Sequence, residues 1–191
     1  PEQKARFLPP MASSEEVWAQ GWSEPNAGSD MAAIQATAIR DGDHYVLNGQ
    51  KTWASRGVYA HWLFGLFRTD ADSKRHHGLS FILLPLDTPG ATVRPIQKLN
   101  GKAAFAEVFF DDARVPVGNL LGEEGTGWSV AMATAGFERG LMLRSPARFQ
   151  STAERLVDLY RQTLERGDPT GPGMRERVAR CWMDAEAYCL N

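Results

Sequence analysis

The sequence predicts an α+β fold, with an antiparallel β-barrel or sandwich domain followed by an α-helical bundle segment. From about residue 18 to 120, short runs rich in Val, Ile, Phe, Trp and Leu alternate with turn clusters, and no helical stretch separates them. Parallel neighbours need long, usually helical crossovers, so the physics favours antiparallel pairing. Beyond Gly125 the apolar period changes from that of strands to that of helices.

In chain order, residues 1 to about 17 read as the tail of a helix, with Leu8-Pro9-Pro10 as its exit. Strands are expected at 32–40, 44–48, 61–68, 79–86 and 106–110, separated by turns such as Asp41-Gly42-Asp43 and Thr88-Pro89-Gly90. Asn48-Gly49 between two apolar runs is a strong hairpin signal, which would pair Tyr45-Val46-Leu47 with Thr52-Trp53-Ala54. Thr126 is placed to cap a helix running through Trp128, Val130 and Met132. Leu156, Tyr160 and Leu164 recur at helical spacing, as do Val178, Cys181, Trp182, Ala185 and Cys189. The Gly/Pro-rich stretch 167–173 between them suits an antiparallel helical hairpin, and Pro146 should kink or interrupt the preceding helix.

Composition sets limits. The 191 residues are 43% hydrophobic and 23% charged, which are globular values. A net charge of −2 and a pI near 6.1 leave no basic stripe for nucleic acid. No apolar run approaches the roughly 20 residues a membrane span needs. Cys181 and Cys189 fall in one predicted helix, cannot bridge there, and read as buried, reduced thiols. His76-His77 has no carboxylate or thiol spaced to complete a metal site, so no metal is expected. Pro1 starts as though mid-helix and Tyr188-Cys189-Leu190-Asn191 stops without a helix-ending signal, so the sequence reads as a piece of a longer protein.

Two stretches carry candidate chemistry. In Gln20-Gly21-Trp22-Ser23-Glu24-Pro25-Asn26-Ala27-Gly28-Ser29-Asp30 a strand end runs into a tight turn, with Pro25 fixing φ and Asn26 and Gly28 tolerating a reversal. Such a turn can aim backbone N–H groups and two hydroxyls at a polar ligand or phosphate, or can be a plain surface turn. In Asn48-Gly49-Gln50-Lys51-Thr52-Trp53-Ala54-Ser55, Trp53 and Ser55 share strand parity and hence a face. An aromatic surface beside a hydroxyl would suit a flat, heteroatom-rich ring, but spacing alone favours a core tryptophan beside a strand-end serine.

Together these stretches resemble the acyl-CoA dehydrogenase family of flavoproteins. Further matches are Arg68-Thr69-Asp70, Gly78-Leu79-Ser80-Phe81, Asp87-Thr88-Pro89-Gly90, Phe109-Phe110-Asp111-Asp112-Ala113-Arg114-Val115-Pro116 and Asn119-Leu120-Leu121-Gly122-Glu123-Glu124-Gly125-Thr126-Gly127-Trp128, in the family's order and spacing. The resemblance implies three parts: the end of an N-terminal helical domain (1–17), a central β-domain binding flavin and acyl-CoA (18–120), and the incomplete start of a C-terminal helical domain (121–191). It implies FAD as cofactor, an acyl-CoA thioester as substrate, an electron-transfer flavoprotein-like acceptor, and a homo- or hetero-oligomer, usually a tetramer. A bacterial cytoplasm is the implied compartment, or the mitochondrial matrix in a eukaryote.

The reaction implied is α,β-dehydrogenation: a glutamate removes the pro-R α-proton while a hydride leaves Cβ for flavin N5, giving a trans-2-enoyl-CoA. Carried over by position, the backbone of Gln20, Gly21, Trp22 and Ser23 should face the flavin pyrimidine edge. Ser29 should lie near the pyrophosphate and the acyl-CoA path, Trp53 should cover the ring, Ser55 should approach N5, and Ala54 between them counts among the cofactor-binding residues. Glu138 matches the place where isovaleryl- and long-chain-type members carry the base, with Arg139 near substrate. Most members carry the base further downstream, and a helical Glu-Arg pair can also be merely solvated. A flavin oxidase or monooxygenase on the same scaffold and a silent partner subunit are the alternatives. Two departures stand out: Trp22, where a small aliphatic residue is usual, and Ala104-Phe105, in place of a hydroxyl-bearing turn. The second, with Phe149 and Arg144-Ser145-Pro146, resembles a bacterial branch handling steroid side chains or dicarboxylyl thioesters.

Overall fold

The computed structural model describes residues 1–143 and 145–189, and the side chains of 1–137 and 145–189. The chain forms two compact units, Pro1–Thr134 and Ala135–Asn191.

The first unit begins with helix α1 (Glu2–Ala12), which runs through Pro9 and Pro10 instead of ending there. Proline removes its own N–H donor but keeps its carbonyl. The Pro9 carbonyl accepts from Ser13 N at 3.0 Å and that of Pro10 from Glu16 N at 3.0 Å, so the last turn closes. Phe7 anchors the helix, edge-on to Trp18 and Trp62 at 5.3 and 5.0 Å between ring centroids. Burial of one such ring contributes about 1.5–3 kcal/mol.

The remainder of this unit is an eight-stranded sheet. Its strands are β1 (Trp18–Gly21), β2 (Thr37–Asp41), β3 (His44–Ser55), β4 (Trp62–Arg68), β5 (Leu79–Pro85), β6 (Ala91–Gln97), β7 (Ala103–Pro116) and β8 (Leu120–Leu121). The order is β6-β7-β3-β2-β4-β5-β8, with β1 added beside β4. Most pairs are antiparallel, but β1 runs parallel to β4, and β2 meets β4 in parallel at Thr37–Arg68. The β2–β3 hairpin lies between β1 and β4 in sequence and serves as the crossover, so no helix is needed. Gly21 makes the close β1–β4 approach possible, since a Cβ there would lie 2.5 Å from Leu63 Cδ2.

The expected Asn48-Gly49 hairpin is absent. β3 passes straight through this dipeptide and pairs along its length with β7, with register shifts at Leu47/Gly49 and Lys51/Ala54. The cause is β7: fourteen residues long, it offers a partner to both halves of β3 at once. Gly49 serves as a bulge residue at φ +128°, where a Cβ would sit 2.7 Å from Ala36 Cβ. Asn48 donates its amide to Asp112 at 2.9 Å. The true hairpin is β2–β3, turning at Asp41–His44 with Gly42 at φ +62°. Tyr45, Leu47, Leu63, Phe67, Ile82 and Val108 form the centre of the core.

Helix α2 (Gly127–Leu143) follows the sheet. Thr126 stands just before the helix and its carbonyl accepts from Ser129 N at 3.0 Å, but its hydroxyl turns back to the Glu123 carbonyl at 2.7 Å instead of capping a helical amide. In the second unit Pro146 opens helix α3 (Pro146–Glu165) at its first turn, where a missing N–H costs nothing, rather than kinking a longer helix. Helix α4 (Met174–Cys189) returns antiparallel: Phe149 meets Tyr188 at 5.2 Å, and Gln150 bonds Glu186. Cys181 is exposed and Cys189 only half-buried on α4, not buried as their spacing suggested; the buried positions of that helix are Val178 and Ala185.

Candidate functional site

The two candidate stretches meet. At the end of β1 the chain makes a turn closed by Glu24 N to Ala27 O (2.9 Å) and Ala27 N to Glu24 O (3.1 Å). Thr52 N of β3 donates to Ser23 O at 2.9 Å, fastening this turn to the strand. Between them lies a concavity of about 230 Å³. Gln20, Trp22, Ser23, Trp53 and Ser55 line it, joined by Gly28 and Met31.

Trp53 is 60% exposed and is therefore not a core tryptophan. The β3–β7 irregularity places it at φ +58°, a left-handed conformation costly for a bulky residue. Ala54 is fully buried, so the side chains on either side of it, Trp53 and Ser55, face outward. Phe105, one of the two unusual residues of β7, meets the Trp53 ring edge-to-face at 6.0 Å. Trp22 is held edge-on against Phe64 and Phe81, each at 6.3 Å. Its Nε1 is buried with no hydrogen-bond partner among the described residues. A buried donor left unpaired costs about 1–3 kcal/mol. An indole face, two hydroxyls and the Gln20 carboxamide around one concavity suit a flat ring bearing carbonyl and nitrogen acceptors.

Sequence reasoning missed the residues beneath this site. Lys51, fully buried on β3, donates to Glu24 Oε1 at 2.7 Å, and Glu24 is 7% exposed. Glu24 also accepts from Ala36 N at 3.0 Å and from Gln35 N at 2.7 Å. The ammonium lies 4.9 Å from the centroid of the Phe67 ring. Desolvation pushes Lys51 down to about 8, opposed by the charge and hydrogen bond of Glu24. The available signal was a glutamate at the turn and a lysine within a strand-forming stretch.

The other candidates lie elsewhere. Gly21 and Ala54 are buried in the sheet, and Ser29 is exposed one residue beyond Gly28. Glu138 and Arg139 fall on the backbone of α2, and their side chains lie outside the described residues. His76 and His77 lie ring to ring at 4.2 Å, tilted by 36°. Among the described residues, no group of three His, Cys, Asp or Glu could hold a metal ion, and no helix is long and apolar enough to cross a membrane.

A mixed sheet followed by helices is an architecture this chain shares with solved structures. Residues 19–113 match the profile described as acyl-CoA dehydrogenase, middle domain. The chain is 47% identical over 188 residues to the acyl-CoA dehydrogenase IpdE1 of Mycobacterium tuberculosis, covering 98% of this chain and 48% of that protein. A structure titled Tcur3481-Tcur3483 steroid ACAD superposes with TM-score 0.78 at 32% identity, covering 97% of this chain and 47% of its own. The prolyl acyl carrier protein oxidase AnaB superposes with TM-score 0.78 at 29% identity, covering 97% of this chain and 50% of its own. The chain belongs to the acyl-CoA dehydrogenase family. It spans about half the length of the relatives it matches.

Proposed function

We propose that this chain supplies the flavin-facing part of an FAD-dependent acyl-CoA dehydrogenase, which converts an acyl-CoA thioester to its trans-2-enoyl-CoA. One observation carries the most weight: residues of two separate motifs, 30 or so positions apart, line a single concavity. Bound flavin would supply the acceptor for a hydride leaving the substrate Cβ. The residues of this chain would do the rest. The outward face of Trp53 covers one side of the ring, and Ser23 and Ser55 donate to its heteroatoms. The turn at Gly28 and Ser29 leaves room for the backbone to approach a phosphate. Glu138 is the candidate for taking the α-proton, and Arg139 the candidate for binding substrate.

The proposed organisation assigns 1–17 to the end of a helical domain, 18–120 to the flavin- and acyl-CoA-binding β-domain, and 121–191 to the start of a second helical domain. Electrons would leave to an electron-transfer flavoprotein-like acceptor, and the protein would work as an oligomer of like or paralogous chains. Likeness to a steroid ACAD makes ring-bearing acyl groups the first substrates to try.

Anaerobic titration of the purified protein with a panel of acyl-CoAs, followed at the visible flavin band, tests this. Bleaching by one thioester is expected. The likeness to AnaB supports a second reading, an oxidase. Thioester-dependent oxygen uptake at the rate of bleaching would favour it, and a colourless protein would favour a silent partner subunit.

A further inference from the structure

We infer that Glu24 and Lys51 are the positioning pair of the ring-binding concavity, holding the Ser23 turn and the Trp53–Ser55 wall at a fixed separation. This rests on the flavin reading proposed above. Neither residue lines the concavity, yet each sits one or two positions from residues that do: Glu24 follows Ser23, and Lys51 precedes Trp53 by two.

Three segments distant in sequence converge on the Glu24 carboxylate. The turn at 22–28 supplies it; residues 35 and 36, on the approach to β2, donate their amides; and β3 donates Lys51 Nζ. One oxygen takes both Lys51 and Ala36, and the other takes Gln35. A carboxylate so saturated has little freedom to tilt, and the turn that carries it is fixed with it. The Thr52–Ser23 backbone bond lies directly beside the ion pair and closes the same joint.

A stability role alone would not need a charge pair here. Buried ion pairs are often no more stabilising than apolar residues of the same volume, and their best-attested use is to fix one geometry among several. The geometry at stake is the distance between a turn and a strand that form opposite walls of one cleft. The Phe67 ring beneath the ammonium adds a cation–π contact, so the lysine end is held as well.

The test compares three variants of the intact protein. Lys51→Met removes the charge at similar length, and Glu24→Gln keeps the shape while weakening the joint. Val115→Ala truncates a buried side chain beside Tyr45, at the opposite end of β3 from Trp53, and serves as the stability control. The readouts are FAD affinity of the apoprotein and amide exchange at Thr52, both judged against the loss of thermal stability. Lys51→Met and Glu24→Gln are expected to weaken FAD by about tenfold or more and to speed Thr52 exchange, beyond what Val115→Ala does at equal destabilisation. If Lys51→Met fails to fold, Glu24→Gln decides alone. FAD affinity and Thr52 exchange that merely track stability across all three variants would overturn the inference. If the parent protein takes up no FAD, the flavin reading fails, and Thr52 exchange still decides whether the pair holds the walls.

Discussion

Tyr45 donates a 2.5 Å hydrogen bond to Glu124, joining two residues 79 positions apart. It ties the start of β3 to the turn that precedes α2. Burial, and then the adjacent carboxylate, push the Tyr45 hydroxyl up from 10.0 to about 12. The folded value lies above the unfolded one, so this stabilisation is fully present below pH 10 and is lost as pH rises towards 12. Ultraviolet titration of tyrosinate should show one phenol ionising late, and Tyr45→Phe should remove that step. The same variant should lower stability in urea by about 1.5–3 kcal/mol, the usual worth of a hydrogen bond to a charged group.

Lys51 gives the opposite sign. Its folded value, about 8, lies below the ordinary 10.5. Between these limits the unfolded chain binds more protons, so stability should rise with pH there and fall as pH drops through about 8. Urea melts at a series of pH values should show this rise in the parent protein and lose it in Lys51→Met.

Gly49→Val should be among the most damaging single changes in the sheet. Position 49 sits at φ +128°, and its new Cβ would meet Ala36 Cβ at 2.7 Å. Strain at such a site costs about 1–3 kcal/mol before any packing loss. Thermal melts measure it.

At Trp53 the strain can be separated from the ring. Trp53→Ala and Trp53→Gly both delete the indole, but only glycine tolerates φ +58° freely. The glycine variant should be the more stable of the two by about 1 kcal/mol. Both should lose flavin to a similar extent, read by the cofactor content after gel filtration.

Glu138→Gln tests the base. If the proton leaves to this carboxylate, single-turnover flavin reduction should slow by about 10²–10⁴-fold, with thioester binding retained. Unchanged reduction would place the base elsewhere in the protein.

Much of the fold was legible because it rests on local signals. The β4 and β5 runs are continuous and apolar, Gly42 sits in a real hairpin, and the α3–α4 loop is rich in glycine and proline. What misled was the same local logic at places where a distant strand decides. Asn48-Gly49 has hairpin chemistry, but β7, more than fifty residues away, converts it to a bulge. β6 was not seen, since Arg94, Pro95 and Gln97 give an edge strand without apolar alternation. In the concavity, Gln20, Trp22, Ser23, Trp53 and Ser55 could be picked from two motifs. Met31 could not, and neither could the Glu24–Lys51 joint, because nothing in the sequence brings residues 24, 35, 36 and 51 together before the sheet forms.

The left-handed tryptophan has an evolutionary reading as well. A large side chain kept where the backbone resists it persists only while its function is under selection. In paralogues released from redox work, position 53 is where drift should register first, with glycine or asparagine replacing tryptophan. Such a replacement in a relative with an otherwise intact sheet would mark a subunit retained for assembly alone.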